Sequence, residues 1–117
     1  MAARFDLVTL NSPRTDHLAT FWCAAVGLHE STREDEDRWI VLADEGGVQR
    51  IGLQRGDVRL GTVHLDLACS LDEFDDELER LLVLGATEVE PPRREPYGMI
   101  VNLADPDGNA FDLCAYA

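Results

Sequence analysis

The sequence predicts an α+β fold made of two copies of one strand–helix–strand–strand–strand module. Two spacings carry this prediction. Asp44 follows an apolar, strand-like run and precedes a glycine turn, and Asp105 repeats that arrangement 61 residues later. Gly27 and Gly85, each following a helical pattern, lie 58 residues apart. Because the order of the elements repeats as well, we interpret the chain as an internal duplication.

The first predicted module contains one helix and four strands. Pro13 fits the first position of the helix, and Gly27 ends it. Between them, apolar residues recur at helical spacing, namely Leu18, Phe21, Trp22 and Ala25. The strands are predicted at residues 4–10, 28–33, 38–43 and 48–54. Residues 54–61, which contain two glycines and three charges, are interpreted as a linker.

The second predicted module repeats this order. Ser70 and Glu73 form a capping-box pattern that predicts the start of a helix, and Gly85 ends it. The strands are predicted at residues 62–68, 87–90, 99–103 and 110–116. Pro91 and Pro92 are expected to end the short third-from-last strand. Residues 105–108 (DPDG) are a strong turn signal. We expect a single domain, residues 1–117, with module one at 1–55 and module two at 62–117.

Composition excludes several classes of partner. The 117 residues carry 23 acidic and 10 basic side chains, a net charge of -13. Such a surface repels nucleic acid and anionic membranes, so neither is an expected partner. The sequence has neither a membrane-length apolar run nor a signal-peptide pattern, so we expect a cytoplasmic protein. The three cysteines form no close motif and are expected to be reduced.

Four segments resemble the glyoxalase, bleomycin-resistance and extradiol-dioxygenase superfamily, the vicinal oxygen chelate proteins. They are residues 21–27 (FWCAAVG), 63–67 (VHLDL), 84–86 (LGA) and 104–113 (ADPDGNAFDL). The nearest branch is the small glyoxalase-like domains. The resemblance implies two βαβββ modules whose curled mixed sheets enclose a cavity, with the helices outside. It also implies a homodimer.

Metal-dependent members of this superfamily carry four inward-facing ligands, two per module. Matching positions places the second pair at His64 and Asp112, which are chemically suitable ligands. The first pair falls on Leu7 and Gly52, neither of which can bind a metal. A two-ligand site is normally weak, so no resident cofactor is expected. The alternative is a divalent ion (zinc, manganese, iron or nickel) held by His64 and Asp112.

The sequence allows three interpretations of His64. It could be a metal ligand, a histidine hydrogen-bonded to Asp66 or Asp112, or a catalytic group that transfers protons without a metal. Strand alternation places His64 and Asp66 on one face, away from the apolar residues. Asp6, next to Leu7, and Gln54, two residues after Gly52, are possible substitutes for the missing ligands.

The expected function is binding of a small organic molecule in a cavity between the modules, without a full four-ligand metal site. The predicted ligand-binding residues are Trp39, Gln54, His64, Asp66, Tyr97 and Asp112. Aromatic walls supply contact area and a polar tip. The alternative is a metal-dependent lyase, isomerase or dioxygenase that uses His64 and Asp112 as ligands. No nucleophile motif and no phosphate loop is present in the sequence.

Overall fold

Eight strands and two α-helices form in the predicted order within residues 5–58, 60–61 and 64–117, the part that the computed structural model describes. The α+β class and the two βαβββ modules are confirmed. Arg4, Thr62 and Val63, which belong to two of the predicted strands, lie outside the described residues. The chain forms two compact units, Met1–Arg59 and Leu60–Ala117.

The first unit contains one four-stranded mixed sheet and one helix. Its elements are β1 (Val8–Ser12), α1 (Thr15–Val26), β2 (His29–Glu34), β3 (Trp39–Ala43) and β4 (Gln49–Arg55). The strand order is β1-β4-β3-β2, with β1 parallel to β4 and the other pairs antiparallel. One face is buried under α1, because Leu18 and Trp22 contribute to the same core as Ile40 and Leu53.

The second unit repeats that topology. Its elements are β5 (Leu65–Ser70), a 3₁₀ turn (Leu71–Glu73), α2 (Phe74–Leu84), β6 (Thr87–Glu95), β7 (Gly98–Ala104) and β8 (Ala110–Tyr116). The strand order is β5-β8-β7-β6, again with one parallel pair, β5 and β8. Phe74 and Leu81 of α2 belong to the same buried core as Phe111 and Leu113 of β8. Each sheet therefore buries one face under its own helix and is open at its edges.

In each unit the last two strands are connected by a turn with an equivalent set of aspartate hydrogen bonds. Asp44 accepts a hydrogen bond from the Val48 amide at 2.9 Å, and Asp105 accepts one from the Asn109 amide at 2.9 Å. In both turns the aspartate amide also donates to the carbonyl of that same partner. The predicted repeat thus extends to individual hydrogen bonds.

The prediction that Pro91 and Pro92 end a strand is wrong. β6 continues through both prolines to Glu95, with register irregularities between Glu88 and Glu90 and between Glu90 and Arg93. Proline lacks the N–H that a central strand must donate, but it is tolerated at sheet edges and irregularities. β6 is at the edge of its sheet, so no ladder hydrogen bond is lost on its outer side.

Candidate functional site

The face of the second sheet opposite α2 carries a row of polar side chains. Along β8, Phe111 and Leu113 are buried towards the core, so Asp112 points to the opposite face. Asp66 lies beside Asp112 in the register of the parallel β5–β8 pair. His64, two residues before Asp66, continues the same alternation. The sequence-predicted residues His64, Asp66 and Asp112 are therefore brought together.

These three side chains, which we call the acidic triad, are within direct contact range. His64 Nε2 lies 3.3 Å from Asp66 Oδ1 and 3.3 Å from Asp112 Oδ2. One donor atom from each of the three residues lies within 4.8 Å of the others. Asp112 is mostly buried, with 14% of its side chain exposed, whereas Asp66 is 63% exposed. Asp112 is thus the inner member of the triad and Asp66 the outer one.

His64 Nε2 contacts two carboxylates, so only some states of the imidazole are favourable in this arrangement. A carboxylate oxygen only accepts hydrogen bonds, so an unprotonated Nε2 of His64 would be repelled by both Asp66 and Asp112. The arrangement is favourable either with a proton on Nε2 or with a cation between the three atoms. Both the hydrogen-bonded and the metal-ligand interpretations of His64 are compatible with this geometry.

Two residues that sequence reasoning missed extend the triad. Asn102, the cross-strand neighbour of Asp112 on β7, donates from Nδ2 to Asp112 Oδ1 at 2.6 Å. Arg93 of β6 donates from Nη1 to Asn102 Oδ1 at 2.8 Å. The internal repeat could have identified Asn102 as a site residue. Asn102 interrupts an otherwise apolar strand, and the equivalent residue of the first module is the apolar Val41.

Among the described residues of the first unit, the positions that correspond to the acidic triad carry no comparable cluster of metal-binding side chains. Thr9 pairs with Gly52 as Asp66 pairs with Asp112, so Gly52 corresponds to Asp112 and Leu7 to His64. A Cβ on Gly52 would lie 2.4 Å from Trp39 Cη2, which shows that the indole lies across this glycine. In the described part of the first unit, the position equivalent to Asp112 is covered by an aromatic ring.

The remaining predicted residues are distributed over both units. Asp6 is exposed and, like Leu7, precedes β1. Gln54 is exposed and pairs in register with Trp39, two residues beyond Gly52. Tyr97 lies in the β6–β7 hairpin of the second unit.

Tyr97 and Tyr116 form an aromatic pair in the second unit. Their ring centroids are 5.7 Å apart, and the side chains are 42% and 57% exposed. Tyr116 follows Asp112 and Cys114 along the same face of β8. Burial raises the pKa of the Cys114 thiol, which keeps the sulfur protonated at neutral pH. The pair therefore offers exposed ring surface, and Tyr116 shares β8 with Asp112, one member of the acidic triad.

The other cysteines show no activated thiol. Cys23 and Cys69 are free and half-buried, and burial raises the pKa of each thiol. For Cys69, the nearby Glu77 and Glu73 carboxylates act in the same direction. A reactive thiolate at the start of the second helix is not favoured.

A family model for the glyoxalase-like domain matches residues 7–114. The chain belongs to this glyoxalase-like family. The predicted relationship to the glyoxalase, bleomycin-resistance and dioxygenase superfamily is thereby confirmed. Comparison with curated proteins gives no match. The described residues of this glyoxalase-like chain include no helix with the length and apolar character of a membrane span.

Several solved structures share the fold. A glyoxalase/bleomycin resistance protein/dioxygenase family enzyme from Burkholderia phytofirmans PsJN is 17% identical, with 98% of this chain and 100% of that chain covered and a TM-score of 0.82. A mutant of the fosfomycin resistance protein FosX from Listeria monocytogenes, in complex with Mn(II) and 1S,2S-dihydroxypropylphosphonic acid, is 20% identical, with coverages of 100% and 93% and a TM-score of 0.81. A glyoxalase-related enzyme from Fulvimarina pelagi is 19% identical, with coverages of 94% and 86% and a TM-score of 0.76. At such identities the likeness establishes the fold alone.

Proposed function

We propose that this glyoxalase-like chain binds a small organic molecule against the face of its second sheet opposite α2, with the polar part of the molecule at the acidic triad. The observation that carries the proposal is the convergence of His64, Asp66 and Asp112, whose donor atoms lie within 4.8 Å of one another. This face presents an imidazole and two carboxylates, and the exposed ring of Tyr116 lies further along the strand of Asp112. A few convergent polar groups next to aromatic surface are typical of small-molecule sites.

Each member of the triad has a proposed role that follows from its burial. Asp112, the inner carboxylate, holds His64 or accepts a hydrogen bond from the ligand. Asp66, the exposed carboxylate, contacts the outer part of the ligand. His64 is half-exposed and donates or accepts the proton where the ligand requires it. Tyr97 supplies a wall of the site, and Trp39 and Gln54 remain proposed ligand contacts on the first unit.

The triad also fits a divalent cation of moderate hardness. Metal–ligand bonds of about 2.1 Å place adjacent ligands of an octahedral shell about 3 Å apart, which is close to the observed N–O distances of 3.3 Å. Imidazole and carboxylate suit zinc, manganese, iron or nickel. Three side chains leave half of an octahedral shell to other donors, so we propose weak binding that strengthens when ligand oxygens complete the shell.

A metal-dependent lyase, isomerase or dioxygenase is the second candidate. It is favoured by Asp66, which adds a third donor to the His64 and Asp112 pair that position matching identifies. When bound, a divalent cation would polarise oxygen atoms of the substrate as a Lewis acid. In this case His64, Asp66 and Asp112 would hold the cation, and Asp112 would keep its position because it is mostly buried.

Titration with Mn(II), followed by electron paramagnetic resonance of the free ion, tests the site. We expect a dissociation constant of about 0.1–1 mM for the purified protein, the range of weakly built cation sites. The substitution His64→Ala should abolish binding with little loss of stability, because the half-exposed His64 side chain supports little packing. His17→Ala, an exposed histidine on α1, is the matched control and should bind Mn(II) normally.

The affinity for the metal ion distinguishes the two candidate functions. One tightly held ion per chain after purification without chelators would favour the metal-dependent enzyme. If Mn(II) does not bind, and no compound in a thermal-shift screen of small aromatics distinguishes wild type from His64→Ala, the acidic triad is not the site.

A further inference from the structure

We propose that Asn102 is a positioning residue for the acidic triad and that Arg93 reinforces the orientation in which it acts. The inference rests on the proposed function, since it concerns the residues that hold Asp112 in place. Asp112 lies between two sheet neighbours, Asp66 on β5 and Asn102 on β7. Asn102 binds Asp112 Oδ1 at 2.6 Å, which leaves Oδ2 for His64.

The side-chain amide of Asn102 fits its two partners in only one orientation. A guanidinium only donates hydrogen bonds, and a carboxylate only accepts them. Arg93 donates to Asn102 Oδ1 at 2.8 Å, so the NH₂ end faces Asp112. With the amide turned over, N–H groups would face Arg93 and an oxygen would face Asp112, and both contacts would be repulsive. Arg93 therefore reinforces the orientation that the carboxylate itself requires and holds the NH₂ end of Asn102 towards Asp112.

The network is not needed for the strands to pair. In the first unit, the corresponding cross-strand pair is Val41 with Gly52, which forms the same antiparallel register without any polar side chain. An apolar residue at the position of Asn102 is thus compatible with strand pairing in this module. The Asn102 amide acts on the side chain of Asp112 rather than on the sheet.

The prediction concerns Asn102→Leu, a substitution of similar shape that cannot bind Asp112. Partners of ligating carboxylates typically contribute about 10- to 100-fold to metal affinity. We expect Asn102→Leu to weaken Mn(II) binding by that factor while the melting temperature changes little. Asn102→Gln, which can present the same two ends, should recover part of the affinity. Arg93→Met should cause a smaller loss, because the amide is then free to rotate.

Arg94→Met is the matched control, since it removes the same charge from the next residue of β6, and it should bind Mn(II) as wild type does. A second measurement does not depend on metal. Three-bond couplings of the Asp112 side chain should report one rotamer in wild type and averaging in Asn102→Leu.

Wild-type-like Mn(II) affinity in Asn102→Leu, together with an unaveraged Asp112 side chain, would overturn the inference and leave the proposed function intact. If wild-type protein binds no Mn(II), the proposed cation site fails and the couplings alone decide. Averaging in Asn102→Leu then supports the positioning role, and unchanged couplings refute it.

Discussion

At the scale of single residues, the two units use one sheet position in opposite ways. The second unit places Asp112 there, with partners on both sides. The first unit places Gly52 there, and the indole of Trp39 lies across it. Since a side chain at position 52 would collide with the ring, the absence of a side chain at this position is coupled to the placement of Trp39. Among the described residues, the cluster of His64, Asp66 and Asp112 has no counterpart at this position of the first sheet.

Gly52→Ala tests this coupling. The added methyl group would lie 2.4 Å from Trp39 Cη2, so the indole must move. Because the ring is at the distal end of a half-exposed side chain, we expect a stability loss at the low end of overpacking, about 1 kcal/mol. Trp39 fluorescence should shift to longer wavelength as the ring becomes more exposed, whereas the signal of buried Trp22 stays constant.

Gly46→Ala is the control for Gly52→Ala, because a Cβ there meets only Asp44 Oδ1 at an ordinary distance of 3.5 Å. It should be neutral or slightly stabilising. If both variants have the same stability and emission, the indole does not cover Gly52 in solution.

At the scale of elements, the turns that close each module are equivalent in backbone geometry but differ in burial. Asp105 is 2% exposed and accepts hydrogen bonds from the amides of Asp107 and Asn109 and from the Asn109 side chain. Asp44 is more exposed, and the Val48 amide lowers the pKa of its carboxyl group. If a hydrogen-bond partner is removed, water can replace it at the more exposed Asp44 but much less readily at the buried Asp105.

Asp105→Ala is expected to destabilise the protein by about 1–3 kcal/mol, because buried donors lose their acceptor. The same change at Asp44 should have a smaller effect. Chemical denaturation of both variants measures the difference in the free energy of unfolding. Asp105→Asn keeps one acceptor oxygen and should lie between wild type and Asp105→Ala. Equal losses at the two sites would show that burial does not determine the contribution of these turns.

At the scale of the whole molecule, the predicted homodimer follows from the resemblance to the vicinal oxygen chelate superfamily. Each described sheet also has edge strands, β2 and β6 among them, and sheet edges are places where a strand of a second chain can pair. Light scattering at micromolar concentration should report about twice the chain mass of 13.0 kDa. A mass of about 13 kDa that does not change on dilution or concentration would contradict the dimer.

Much of this architecture could be predicted because it depends on local order. Helical spacing, capping residues and turn signals are properties of neighbouring residues, and they determined both helices, all eight strands and the repeat. The period of two along a strand also placed Asp66 with His64, and Asp112 opposite the core-facing Phe111 and Leu113. The sequence by itself thus determined which residues face the same side.

Only the tertiary structure decided which of those residues meet. Strand register joins residues far apart in the chain, and it set Asp66 beside Asp112 and Asn102 on its other side. The edge location of β6 let that strand continue through two prolines and carry Arg93 to Asn102. The position of Trp39 over Gly52 likewise depends on pairing between β3 and β4. Local periodicity contains no register, because a strand keeps the same pattern whichever partner it pairs with.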